Sequence, residues 1–351
     1  MNQLPKLSPD MLARVRRLTE EYQALRLNPA ASRPMVIVNA PGKPARFRAR
    51  WEDPLIMLED GAAVVQAHLE LGDDRLPVLR VEFGTAVVAS LFGIEVQVKD
   101  DSLPFAREAP ARSLEELLAL PEPELTAGLG PKLLAFNRAI RAALPEGYSL
   151  QLPDTQGVFN TAHLVRGNDI LMDFYDDPER LGQFFARVGS VQRRLIEALV
   201  PEVTPAPAGW FYDLGTLWQG TARVSNCSME MISPAFYREH VRAHDMKLLA
   251  DLGGGRVHYC GSHTDVLIDF TSLPGVSGVD FSYELHDFRR VLAETPLSGV
   301  ILASLGSVDG AAARQILENP PARRNLIYTV AGDPAKGMAW RAALLKKYGC
   351  R

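Results

Sequence analysis

Short apolar runs alternate with amphipathic segments along most of the chain. The apolar runs are rich in β-branched residues and bounded by Pro or Gly, which is typical of buried strands. Nine runs predict strands, at residues 34–39, 77–82, 148–153, 209–213, 222–226, 256–260, 276–281, 300–305 and 325–331. Helical spacing predicts helices at residues 9–27, 131–143, 178–199, 234–252, 287–294, 310–318 and 334–348.

This alternation predicts a parallel sheet, because parallel strands need crossover helices between them. Nine evenly spread candidates are close to the eight strands that close a (β/α)8 TIM barrel, which is the α/β fold we expect. A doubly wound open sheet is the alternative. The helix at 9–27 precedes the first strand, so we expect an N-terminal helical extension over residues 1–30 and the barrel over residues 31–351.

The composition fits a globular protein with an ample core, since 47% of the 351 residues are hydrophobic. The formal net charge of −4 gives no excess of positive charge that would favour binding to nucleic acid. No run approaches the ~18 apolar residues of a membrane span, and the start lacks a signal-peptide core. Together with only three cysteines, an odd and sparse set, these features favour a cytoplasmic protein without a disulfide framework.

The most informative stretch is Arg256-Val-His-Tyr-Cys260-Gly-Ser-His263. Alternate side chains of a strand share a face, so His258 and Cys260 point the same way at the carboxyl end of a predicted strand. Barrel enzymes build their active sites at that end. An imidazole and a thiolate form half of a tetrahedral zinc site, although a buried Cys beside a hydrogen-bonded core His is an alternative interpretation.

The context of this pair resembles the uroporphyrinogen decarboxylase superfamily, and most closely its cobamide-dependent methyltransferases, including methylcobamide:coenzyme M methyltransferases. The resemblance covers roughly residues 125–340. Its motifs are Asp176-Asp-Pro-Glu179 before a long helix, Ile232-Ser-Pro-Ala-Phe236, the His-x-Cys-Gly261 strand, Gly278-Val-Asp280 on the next strand, and Gly306. It implies a (β/α)8 barrel that binds zinc and accepts a methyl group from a corrinoid on a partner protein, and it implies a possible homodimer.

In that branch the third zinc ligand is a Cys just after the last barrel strand, where this chain has Asp333. Aspartate also binds zinc, so the resemblance implies a site of His258, Cys260 and Asp333. Two alternatives stay open: the metal is lost, or another residue such as Cys227 or Glu230 completes the site. Cys350, beside the C-terminus, is interpreted as an incidental thiol of a mobile tail.

Polar residues at the ends of other predicted strands are further candidates. We expect catalytic roles for Asp280, Asp213 and Tyr283 at the barrel rim. We expect contacts with the cofactor from three more residues, Asp154, Gln156 and Trp218.

The basic loop over residues 41–51 carries Lys43, Arg46, Arg48 and Arg50. It is either solvated or in contact with an anion. It does not reproduce the Arg-Gln-Ala-Gly-Arg loop of the decarboxylases, which disfavours porphyrinogen decarboxylation.

The favoured hypothesis is a methyltransferase that transfers a methyl group from a corrinoid to a small thiol or pterin, with zinc lowering the pKa of a thiol acceptor. A metal-free decarboxylase or lyase acting on a carboxylated substrate is the main alternative. A non-catalytic barrel that binds a partner is the third.

Overall fold

The computed structural model describes residues 4–39 and 46–350. The strands in chain order are β1 (Met35–Asn39), β2 (Val78–Arg80), β3 (Val96–Gln97), β4 (Phe105–Ala106), β5 (Ser149–Gln151), β6 (Trp210–Asp213), β7 (Thr216–Gln219), β8 (Ala222–Ser225), β9 (Gly255–His258), β10 (Val276–Ser282), β11 (Val300–Ser307) and β12 (Leu326–Ala331).

The α-helices are α1 (Pro9–Leu27), α2 (Phe47–Glu52), α3 (Pro54–Leu71), α4 (Val87–Leu91), α5 (Leu114–Ala119), α6 (Gly130–Ala143), α7 (Val158–Arg166), α8 (Ile170–Asp176), α9 (Pro178–Leu199), α10 (Pro234–Phe236), α11 (Arg242–Asp251), α12 (Thr264–Thr271), α13 (Phe288–Glu294), α14 (Ala311–Glu318) and α15 (Pro334–Lys347). A 3-10 helix follows β8 at Cys227–Met231, and a π-helical turn at Tyr237–Val241 joins α10 to α11.

Eight parallel strands follow the chain order around the fold. Six form one sheet in the order β1-β12-β11-β10-β9-β8, and β2 pairs with β5 in a second parallel ladder. The segment before β2 is tied to β1, since Asp74 N–H donates to Val36 O at 3.0 Å and Asp73 accepts from Val38 N–H at 2.8 Å. On the other side an ion pair between Arg223 and Asp154, 2.6 Å apart, links β8 to the end of β5. The predicted (β/α)8 barrel fold is confirmed.

The ninth predicted strand, at 209–213, has a different role. It is β6, which pairs antiparallel with β7 in a hairpin outside the parallel ladders. Leu214 and Gly215 form the two-residue turn, with φ of 48° and 79°. Two successive positive φ angles are the mark of a type I′ turn.

The amino-terminal half of the barrel is filled by apolar side chains and closed by added elements. Inward-facing Met35 and Ile37 of β1 belong to one core cluster with β11, β12, the β6–β7 hairpin and α1, whereas Val36 and Val38 face the outer helices. Trp218 of β7 lies so close to β10 that a Cβ on Gly278 would collide with its ring. Helix α1 therefore packs on the barrel, while the expected domain boundary at residue 30 stays a prediction.

Most predicted helices are found. Those at 9–27 and 178–199 match α1 and α9, whereas 234–252 is interrupted by the π-helical turn. The prediction of a basic loop is wrong for residues 47–51, which lie in α2. Lys43 lies outside the described residues. Within residues 4–39 and 46–350, no helix is both long and apolar enough to cross a bilayer.

Candidate metal centre

Three metal-ligand side chains meet at the carboxyl ends of β8 and β9. Cys227 begins the 3-10 helix two residues after the end of β8, His258 ends β9, and Cys260 lies two residues after His258. One ligand atom from each lies within 4.8 Å of the other two. The strands bring them together because Ser225 pairs in register with His258. Cys227 and His258 are half-buried and Cys260 is exposed, so the cluster is accessible from the barrel mouth.

The imidazole of His258 is oriented from the neighbouring strand. Asp280 of β10 pairs in register with His258, and its Oδ2 lies 2.6 Å from His258 Nδ1. Asp280 raises the pKa of His258 to about 9. A carboxylate at Nδ1 leaves Nε2 to face a metal, which is the usual arrangement of a metal-bound histidine.

The pKa values of the two thiols are shifted in opposite directions. The neighbouring Cys227 thiol lowers the pKa of Cys260, and His258 lowers it further. The neighbouring Cys260, together with burial, raises the pKa of Cys227. Cys260 is therefore the more acidic of the two thiols, and a bound cation would favour the deprotonated form of both.

A buried ionic layer supports the site from below. Arg256 has no solvent exposure; its Nε donates to Asp213 at 2.6 Å and its Nη1 donates to Asp280. Burial raises the pKa of Asp280, but Arg256 and His258 outweigh that effect and hold the pKa well below its usual range. Asp280 is thus a carboxylate that can hold the proton of His258 Nδ1.

A second group braces the turn that carries Cys227. Asp154 accepts from Arg223 at 2.6 Å, from Gln156 N–H at 3.0 Å and from the Gln156 amide at 2.7 Å. Gln156 Oε1 then accepts from the Asn160 side-chain amide at 2.9 Å, and Asn160 Oδ1 accepts from Ser228 N–H at 2.7 Å. This chain of hydrogen bonds runs from the end of β5 to the residue after Cys227.

Several predicted site residues are placed elsewhere. Asp333 is the N-cap of α15, where it accepts from Lys336 N–H at 2.9 Å, and it is not among the clustered ligands. Trp218 is 1% exposed in the closed half of the barrel, 4.7 Å from the Arg256 guanidinium, so its ring cannot reach a ligand at the mouth. Tyr283 follows β10 half-buried against Phe288. Its catalytic role stays a prediction, as do those of Asp280 and Asp213.

The remaining cysteine and the arginines are also placed outside the cluster. Cys350 packs against the main core, with its sulfur 3.7 Å from Tyr348 O, rather than in a mobile tail. Arg46 pairs with Asp60 and Glu59, and Arg48 pairs with Asp100 at 2.5 Å. These two arginines are therefore occupied by carboxylates of the chain itself.

The residues that sequence reasoning missed are mainly the supporting ones: Arg223, Arg256 and Asn160. Arg256 lies two residues before His258 on β9. Arg223 lies two residues before Ser225 on β8. A charged residue at a strand position that faces the barrel interior is the sequence feature that indicates such a supporting residue.

Asp245 of α11 provides a pH-dependent test of the packing behind Cys227. Its Oδ2 accepts from the Asn226 amide at 2.8 Å, while its Oδ1 is buried without a partner among the described residues. Burial raises the pKa of Asp245 from 3.8 to about 7. The group stabilises the fold when protonated, so this contribution is complete below about pH 4 and is lost progressively as pH rises from 4 through 7, with a total of up to about 4 kcal/mol.

Asp245→Asn should remove this pH dependence. Unfolding in urea is measured between pH 5 and 8 with chelator present. The free energy of unfolding of Asp245→Asn should increase relative to that of the wild type as the pH rises. Asp251→Asn, on the exposed side of the same helix, is the matched control and should follow the wild type. Parallel curves for Asp245→Asn and the wild type would show that Asp245 does not titrate in this range.

Comparisons with known proteins establish the fold. No protein-family model matches the chain, and no curated protein matches its sequence. Solved structures do match, among them a methyltransferase from Methanosarcina mazei, with a TM-score of 0.69 at 17% sequence identity, over 94% of this chain and 99% of that chain. The likeness extends over nearly the whole of both chains, so the two proteins share their overall fold.

Proposed function

We propose that the protein, which shares its fold with a methyltransferase, transfers a methyl group between a corrinoid carried by a partner protein and a small thiol or pterin, with zinc bound at Cys227, His258 and Cys260. The observation that carries the proposal is this cluster of ligands at the barrel mouth. The structural likeness to a methyltransferase supports the class of reaction.

The donor set fits zinc. Two sulfurs and one imidazole nitrogen are ligands that Zn²⁺ prefers, and three protein ligands with an open fourth position are typical of catalytic zinc sites. The bond from His258 Nδ1 to Asp280 fits the outer-shell support of such a site. We therefore assign the third ligand position to Cys227 rather than to Asp333.

The residues of the chain prepare the site for an acceptor. Zinc would supply Lewis acidity that lowers the pKa of a bound thiol. Asp280 holds the Nδ1 proton of His258, and Arg256 keeps Asp280 ionised. Cys260, the exposed ligand, places the open side of the cluster toward the mouth, where a methyl donor on a partner protein could approach.

Metal removal and reloading test the proposal. Zinc-loaded protein should transfer methyl groups from methylcobalamin to a thiol or a pterin, with both classes offered separately. Chelator should abolish this transfer and added Zn²⁺ should restore it. Transfer that continues at full rate without metal would contradict a role for zinc, and a zinc-loaded protein that transfers to no acceptor would contradict methyl transfer.

A further inference from the structure

Glu230 connects the two segments that carry the cysteines. It lies three residues after Cys227 in the same 3-10 helix, and its carboxylate reaches the loop that follows Cys260. Its Oε2 accepts from Ser262 N–H at 2.6 Å, and its Oε1 accepts from the Ser262 hydroxyl at 2.6 Å. Both oxygens of one carboxylate are thus used to hold one residue of the neighbouring loop.

Tyr259 and Gly261 complete this connection. The Tyr259 hydroxyl donates to Glu230 Oε2 at 3.2 Å and accepts from His263 N–H at 3.3 Å. Gly261 lies directly beneath these groups, and a Cβ there would collide with the Tyr259 hydroxyl and the Glu230 carboxylate. The loop therefore approaches Glu230 as closely as a glycine allows.

Cys260 needs such a connection, because it lies beyond the end of β9. The ladder ends at His258, and Cys260 is exposed. A ligand on an unpaired loop loses conformational entropy when it binds a metal, unless the loop is already ordered. Glu230 is itself outside the clustered ligands.

We infer that Glu230 is a positioning residue, which fixes the Cys260 loop against the Cys227 helix and so presets the separation of the two sulfurs for metal binding. The inference rests on the metal site of the proposed function. Outer-shell partners of metal ligands typically contribute 10- to 100-fold in metal affinity. Glu230 should contribute in that range, although it touches neither the metal nor the substrate.

Cobalt binding tests the inference. Wild type, Glu230→Gln and Glu116→Gln are titrated with Co²⁺, while the thiolate-to-cobalt charge-transfer absorption in the near ultraviolet is recorded. Glu116 is a matched control, because its carboxylate also accepts from a serine N–H, at 2.7 Å from Ser113, in the capping box of α5. Glu230→Gln should bind Co²⁺ about 10- to 100-fold more weakly, with altered charge-transfer intensity, and Glu116→Gln should match the wild type.

A steric variant tests the same contact from the other side. Gly261→Ala should weaken Co²⁺ binding as Glu230→Gln does, while urea unfolding of the metal-free proteins checks that both variants fold. If Glu230→Gln lowers only the stability of the metal-free protein and keeps the affinity and spectrum of the wild type, the inference is overturned.

The other outcomes separate the two proposals. Cobalt binding through both thiolates without methyl transfer would refute the proposed function and leave the role of Glu230 standing. A wild-type protein that does not bind Co²⁺ would overturn both.

Discussion

Zinc affinity should fall by about 100- to 1,000-fold when Cys260 is replaced by serine. Structural zinc sites bind with roughly 10–16 kcal/mol, so one of about four ligands contributes on the order of 3–4 kcal/mol. Cys227→Ser should cause a loss of the same order, since the ligand atoms of both residues lie within 4.8 Å of His258. Competition with a chromophoric chelator measures the affinity of each variant.

Two controls make this experiment decisive about the third ligand. Cys350→Ser should leave zinc affinity unchanged, because Cys350 packs against the core outside the cluster. Asp333→Ala should also leave it unchanged, while costing about 0.5–2 kcal/mol of stability through the lost helix cap. If Asp333→Ala removes zinc and Cys227→Ser does not, the assignment of Cys227 is wrong and the sequence-based ligand set is right.

The largest effect on stability should follow Arg256→Met. Arg256 lies wholly buried between Asp213 and Asp280, so its removal takes away the cation that these two buried carboxylates share, leaving His258 beside Asp280 and Arg223, 3.8 Å away, beside Asp213. Breaking a buried ion pair from one side costs about 3–5 kcal/mol. Urea unfolding should show a loss of that size in the free energy of unfolding.

An exposed arginine provides the comparison. Arg290 pairs with Glu294 and Asp265 at 3.0 Å, and its side chain is 46% exposed. Arg290→Met should therefore cost far less stability than Arg256→Met. Adding Asp213→Asn to Arg256→Met should recover part of the lost stability. Equal small losses for Arg256→Met and Arg290→Met would show that the buried network does not hold the barrel together.

The barrel was predictable because each of its strands has a recognisable local sequence pattern. Eight apolar runs separated by helices specify parallel strands in chain order, whatever their side chains contact. The hairpin was not predicted, because its turn, Leu214-Gly215, lacks the Asn-Gly or Asp-Gly pair that usually marks a type I′ turn. A leucine at positive φ is a conformation that only the folded surroundings select.

The sequence predicts the two ligands carried by one strand, but not the third ligand. Period-two alternation placed His258 and Cys260 on one face, but the third ligand depends on which strand lies beside β9. In a barrel that follows chain order the neighbour is β8, whose end carries Cys227, whereas β12 and Asp333 are separated from β9 by two strands. The contacts of Asp280 and Glu230 depend on register and loop conformation, which a single sequence does not specify.

The hairpin and α1 that close the amino-terminal half of the barrel have a consequence for turnover. Apolar side chains fill that end in the part of the chain that is described, so a methyl donor and an acceptor would share the opposite opening. A carrier protein docked there would obstruct the entry of a small acceptor. The proposed reaction therefore favours ordered steady-state kinetics, in which the acceptor binds before the carrier and the carrier leaves before the methylated product.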